Sequence, residues 1–233
     1  MKLGVHKEKH SKTASLFSDF ILGGQDGLVN VLGVILGVAI GAGDPRAVIL
    51  AGLAATFAES VSMGAVAYTS SKADRDYYDS EEKREKMEMK KFPDVERKEI
   101  YNIYYKKGFR GKLLNQIVSK ITSNKKRWKE IMMSEELELS KKFINPIKSA
   151  IIVFFAALIG SFLPLVSFFF FPIKTAIVYS LIISAVALFI TGAVEAKFTI
   201  GNWVKKGIQL MAIGMLAALT GFIVGKFAGY SNI

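Results

Sequence analysis

Asp26, Glu59 and Met63 lie in stretches otherwise apolar enough to cross a bilayer. An ionised carboxylate at that depth costs at least ~2.5 kcal/mol even on a lenient insertion scale, so it normally faces a cavity, a partner or a transported ion. Glu59 and Met63 are four residues apart and share one helix face. With Asp26 from the preceding span they would line a path with two carboxylates and a soft sulfur. Interhelical hydrogen bonding, or pairing with Lys, would account for the same residues. Asn30 falls in the same span as Asp26, and Glu195 sits near the end of a later span beside Lys197, where a structural ion pair is the simpler reading.

A second group lies in the polar middle of the chain. Glu85 and Glu88 are three residues apart, as are Glu96 and Glu99, so each pair occupies one helix face. Met132 and Met133 stand four and three residues before Glu136. Antiparallel helices would converge these clusters into a site with hard carboxylates and soft thioethers together. That mixture suits Fe(II) and similar transition ions better than Mg²⁺ or Ca²⁺, which take oxygen alone. Pairing of the acids with Lys and Arg, and packing of the two Met in a core, is the competing reading.

Composition narrows the classes that these residues can serve. The chain has 233 residues, 51% of them apolar, no Cys and a formal charge of +11. Its mean hydropathy of +0.32 exceeds that of ordinary soluble domains. Without Cys there is no disulfide scaffold, thiolate zinc site, iron–sulfur cluster or Cys nucleophile. The two His, His6 and His10, lie in the polar N-terminal tail, which argues against a buried His-based active site.

The elements that must position the acids follow from hydropathy. Five segments, 20–42, 47–70, 146–169, 173–196 and 204–228, each supply the ~20 apolar residues that a membrane helix needs. The expected organisation is a tail over 1–19, two spans over 20–70, a polar insert over 71–145 and three spans over 146–233. Only Arg46, Lys174 and Lys226 of the 31 Lys and Arg fall on the side opposite the tail and insert. The positive-inside rule therefore places tail and insert in the cytoplasm. The basic excess of the insert suits an anionic membrane surface, and no motif supports nucleic-acid binding. Gly33, Gly37 and Gly41 form a stripe that permits close helix packing, within one chain or between two.

The insert reads as helical throughout. The second membrane helix continues past Glu81, Glu85 and Glu88 until Pro93 stops it. Further helices are expected from Pro93 to about Lys107, from Gly111 to Ser123 and from Asn124 to Lys142. The fold class is thus an all-α integral membrane protein with five spans and a cytoplasmic helical metal-binding insert between the second and third.

In order and spacing this pattern resembles the vacuolar iron transporter family, which includes the yeast vacuolar iron and manganese carriers. The resemblance rests on Gly24-Gln25-Asp26-Gly27-Leu28-Val29, and on Glu59-Ser60-Val61-Ser62-Met63-Gly64 with Tyr68 and Lys72. It rests also on the insert acids with Pro93-Asp94 and Met132-Met133, and on the five-span layout. It implies a homodimer that exports Fe(II), and also Mn(II), Co(II) or Zn(II), from the cytosol in exchange for protons, with no prosthetic group. It further implies Asp26 and Met63 as path ligands, with Glu85, Glu88, Glu96, Glu99, Met132, Met133 and Glu136 as capture ligands. One position departs from it. Relatives that load vacuoles carry an acid two turns before the path Met, where this chain has Ala55. Glu59 lies one turn closer, a shift of ~6 Å along the helix.

The compact layout suits a protein of the cell membrane, or of a vacuole-type membrane in a eukaryote. The alternatives are a membrane-anchored metal sensor or scaffold and, less favoured, a ferroxidase. Di-iron bundles pair Glu with a Glu-x-x-His motif, and the insert contains no His.

Overall fold

The structure, a computed structural model, describes residues 10–139, 145–198 and 201–230. Eight α-helices account for nearly all of them. Helix α1 runs His10–Gly41, α2 Pro45–Lys91, α3 Pro93–Lys106, α4 Gly111–Thr122, α5 Lys125–Ile131, α6 Pro146–Phe170, α7 Ile173–Phe198 and α8 Trp203–Tyr230. A π-helical turn, Met132–Glu136, follows α5. No strand occurs among the described residues.

Five helices, α1, α2, α6, α7 and α8, are long and apolar enough to cross a membrane. Helix α2 has 47 residues, or ~70 Å, more than twice the ~30 Å hydrocarbon thickness, so much of it must lie outside the bilayer core. The chain divides into two compact units. One comprises the residues up to Ser70 with those from Ile144 onward, and the other is Ser71–Phe143.

In the first unit α1 is the central helix. Its Val31, Leu32, Ile35 and Leu36 are almost completely buried against Leu165 of α6, Val48 of α2 and Ala218 of α8. Small residues let two neighbours approach its backbone. A Cβ on Gly160 of α6 would lie 2.0 Å from the Gly24 carbonyl oxygen, and one on Gly27 would lie 2.4 Å from the carbonyl oxygen of Ala157. On another face, a Cβ on Gly221 or Gly225 of α8 would lie 2.1 or 2.2 Å from the carbonyl oxygens of Gly33 and Gly37. Gly229 approaches Gly41 in the same way, so the stripe of Gly33, Gly37 and Gly41 packs on α8 of its own chain. Polar pairs supplement the apolar contacts. The Ser149 hydroxyl on α6 donates to Asp19 on α1 at 2.7 Å, and the Ser167 hydroxyl donates to the Ala176 carbonyl of α7 at 2.9 Å.

In the second unit, α3, α4, α5 and the end of α2 surround Ile100, Leu114, Val118, Ile121, Trp128 and Met132, with Met89 and Tyr104 packed at the edge. Local sequence sets the boundaries. Pro93 occupies the first turn of α3, Gly108 turns the chain at φ +99°, and the Asn124 side chain accepts from the Lys126 and Arg127 amides to cap α5. The last insert helix is shorter than expected. It leaves α geometry at Met132, where the Leu137 amide donates to the Met132 carbonyl, five residues back. Glu138 then adopts φ +53°, which ends the helical course. The expected end at Lys142 and the tail residues 1–9 lie outside the described residues.

The α1–α8 contact yields a stability prediction. Gly225→Leu should lower the unfolding midpoint of the detergent-solubilised protein by about 5 °C or more, because the added side chain has only backbone to enter. Val224→Ala, at a position 64% exposed, should change it by less than about 2 °C. Thermal scans of the two variants check this.

Candidate functional site

The first candidate site lies in the membrane-spanning unit, on α1 and α2. Gly24 and Gly27 are engaged with α6, while Asp26 and Asn30 share a face one turn apart. The Asn30 amide nitrogen donates to Asp26 Oδ2 at 3.3 Å and to Glu59 Oε1 of α2 at 3.0 Å. The Asp26 and Glu59 carboxyls are themselves within hydrogen-bonding reach. Two acids and one amide therefore form a connected group across the two helices. Met63, one turn along α2 from Glu59, is half-buried and stands outside that group. Ala55, one turn the other way, packs in the apolar cluster of Val31, Ile35 and Leu165. The position where the resemblance implies an acid is thus a hydrocarbon contact here. The spacing of four between Asp26 and Asn30 places them on one face, and the contact with α2 makes Asn30 the bridge between the two acids.

The second candidate site lies wholly in the other unit. Glu85 of α2 and Glu96 of α3 are only 3% and 5% exposed, and their carboxyls lie within hydrogen-bonding reach. One oxygen of each, Glu85 Oε1 and Glu96 Oε2, is buried without a hydrogen-bond donor. Burial first, then the neighbouring charges of Glu96, Glu136 and Glu88, push the Glu85 carboxyl up to about 8. Burial and the charges of Glu99, Glu96 and Glu88 likewise push Glu136 up to about 7, with Arg84 opposing. Glu99 is raised by burial and by Glu96 and Glu88. These five acids form one electrostatic cluster built from α2, α3 and the π turn.

Three other acids of the insert are answered by cations. Glu81 pairs with Arg84 at 2.7 Å, Glu82 with Lys86 at 3.1 Å and with Lys129, and Glu135 with Lys107. Arg84 also approaches Glu88 at 3.8 Å. Glu136 rather than its neighbour Glu135 therefore belongs to the cluster. Met132 is fully buried in the apolar core beside Trp128, whereas Met133 is equally buried but not part of that core. Consecutive side chains on a helix point in different directions, so Met132 enters the apolar core and Met133 does not. Among the described residues, no three Asp, Glu or His side chains stand in an arrangement that could hold a metal ion as they are. The cluster is a set of protonatable acids that a cation would have to draw together. In the membrane-spanning unit, Glu195 pairs at 2.7 Å with Lys206 of α8, not with Lys197.

Comparison with known proteins now decides the family. The model of the VIT family matches residues 17–226. The chain belongs to the VIT family. It is 34% identical to "Vacuolar iron transporter 1" of Tulipa gesneriana over 227 residues, covering 96% of this chain and 92% of that protein. It is 30% identical to "Vacuolar iron transporter 1" of Arabidopsis thaliana, over 96% and 90%. With "Vacuolar iron transporter" of Plasmodium falciparum the identity is 29%, over 96% and 86%. This VIT-family chain is a multi-pass membrane transporter of metal ions, of an iron-transporting family, and not an enzyme. The ferroxidase alternative falls with that assignment.

The raised acids make the insert's stability depend on pH. Between pH ~4.5 and ~8 the folded protein holds protons on Glu85 and Glu136 that the unfolded chain has released, so metal-free stability falls as pH rises through that window. The Trp203→Phe protein, with Trp128 as its remaining tryptophan, should lose about 5 °C in the Trp128-reported midpoint between pH 5 and pH 8.5. Adding Glu85→Gln should flatten that fall.

Proposed function

We propose that this protein exports Fe(II), and with it Mn(II), Co(II) or Zn(II), from the cytosol in exchange for protons, as a homodimer. Tail and insert face the cytoplasm in this reading, in a cell membrane or, in a eukaryote, a vacuole-type membrane. The observation that carries it is the Asp26–Asn30–Glu59 group, which joins two carboxyls across two spanning helices. Carboxylates in a spanning segment are costly, and a carboxyl pair that can exchange protons for a cation justifies that cost. The charge asymmetry of the loops supports the orientation.

Transport follows from what each group can hold. Glu85, Glu88, Glu96, Glu99 and Glu136 gather the cation as it displaces their protons, with Met133, outside the apolar core, as the soft donor and Met132 held in the core. The cation then passes to Glu59, Met63 and Asp26. Protons arriving from the opposite side neutralise Asp26 and Glu59, remove the charge that holds the cation and release it there. Asn30 bridges the two carboxyls in the metal-free state and keeps them in register.

Fe(II) uptake into proteoliposomes, read by an internal metal dye, tests the path. With an acidic interior, Asp26→Ala and Glu59→Ala should each lower the initial rate about ten-fold or more, while Glu85→Gln should raise the half-saturating Fe(II) concentration. Wild-type rates in Asp26→Ala vesicles would exclude this path.

A further inference from the structure

A cation of the protein's own reaches into the acid cluster of the insert. Arg84 lies on α2, one turn after Glu81 and one turn before Glu88. Its guanidinium forks onto Glu81, with Nη2 at 2.7 Å from Oε2 and Nη1 donating to Oε1 at 3.2 Å. Its Nε lies 3.8 Å from Glu88 Oε2, within ion-pair range and beyond a hydrogen bond. Its charge also acts on Glu136, where it opposes the neighbouring acids. Ion pairs along an exposed helix face contribute little by themselves. Here one of the two acids is buried and the other belongs to the cluster. Glu81 is 8% exposed, stands apart from the five clustered acids, and has both oxygens engaged by Arg84. Inside the cluster, Glu85 Oε1 and Glu96 Oε2 are buried without a donor.

We propose that Arg84 is a tethered cation that competes with the incoming metal ion for Glu88 and its neighbours, and that Glu81 is the partner that holds the guanidinium aside once the ion is bound. The proposal rests on the reading of the five acids as the capture group. A proton leaves a carboxyl to make room for a metal ion. A guanidinium keeps its charge and clears the site only by moving. The required movement is small, because the same side chain already has its fork on Glu81 and only its Nε directed at Glu88. The bidentate fork is the stronger of the two contacts, so the resting place exists before the ion arrives. Without Glu81, the guanidinium would fall back on Glu88. A competitor fixed one turn away also favours release, since it can return to Glu88 as the ion departs. Arg84 and Glu81 are thus positioning residues that set how tightly the cluster holds its cargo.

The test is Mn(II) binding to the full chain in detergent at pH 8, read by calorimetry and by the electron paramagnetic resonance signal of free Mn(II). Glu85→Gln identifies the component of binding that belongs to the insert. Arg84→Gln should tighten that component about three-fold or more, whereas loss of a merely structural contact would weaken it. Arg84→Lys, which keeps the charge without the fork, should tighten it less. Glu81→Gln should weaken binding in the wild-type background and change nothing once Arg84→Gln is present. Lys86→Gln, on the other side of α2 and paired with Glu82, should leave the affinity within about two-fold of wild type. Weaker or unchanged binding in Arg84→Gln, with the Glu85-dependent component intact in the wild type, would overturn this proposal alone. An equal loss from Glu81→Gln with and without Arg84 would also overturn it. Absence of any Glu85-dependent component in the wild type would overturn the capture reading and this proposal with it.

Discussion

Backbone contact between α1 and its neighbours is the constraint on which the membrane-spanning unit depends. Side chains hold most soluble helices apart by 8–10 Å, whereas here Gly24 meets Gly160, and Gly33 and Gly37 meet Gly221 and Gly225, with no side chain between. In lipid there is little hydrophobic gain from bringing apolar helices together, so dispersion between closely approached backbones carries much of the association. The same contacts fix the rotation of α1. With its glycines turned to α6 and α8, the Asp26 and Asn30 face is left to meet Glu59 of α2.

The two acid groups are built on one principle and differ in their surroundings. In each, carboxyls from different helices come within hydrogen-bonding reach, a geometry that is favourable while a proton is shared and repulsive when both are ionised. In the insert, Glu85 and Glu96 are buried with unanswered oxygens, and Arg84 is the cation that opposes the cluster. In the membrane-spanning unit an amide donor, Asn30, sits between the acids. Such groups respond to protons and cations in opposite senses, which is the physical requirement for exchanging one against the other.

Much of this was legible in the sequence, and the rest was not for identifiable reasons. The five spanning helices follow from apolar run length, and the boundaries of α3, α4 and α5 follow from Pro93, Gly108 and Asn124. The shared faces of Glu85 with Glu88 and of Glu96 with Glu99 follow from three-residue spacing, whereas their convergence with Glu136 depends on how the helices pack. The π turn was not legible, because Met132-Met133-Ser134-Glu135-Glu136 has ordinary helix-forming composition and only the tertiary fit shows the extra residue. The partner of the glycine stripe, the pairing of Glu195 with Lys206 rather than Lys197, and the bridging role of Asn30 all depend on which helices become neighbours. Spacing along one helix does not contain that information.

The most direct measurement of the central claim is simultaneous recording of luminal pH and luminal metal while Fe(II) enters proteoliposomes of the wild-type protein and of Asn30→Ala. Proton-linked export predicts that protons leave the lumen in fixed ratio to metal entering. It predicts that the ratio or the rate changes when the bridge between Asp26 and Glu59 is removed. Metal entry with no accompanying proton movement, at the same rate in both proteins, would contradict it.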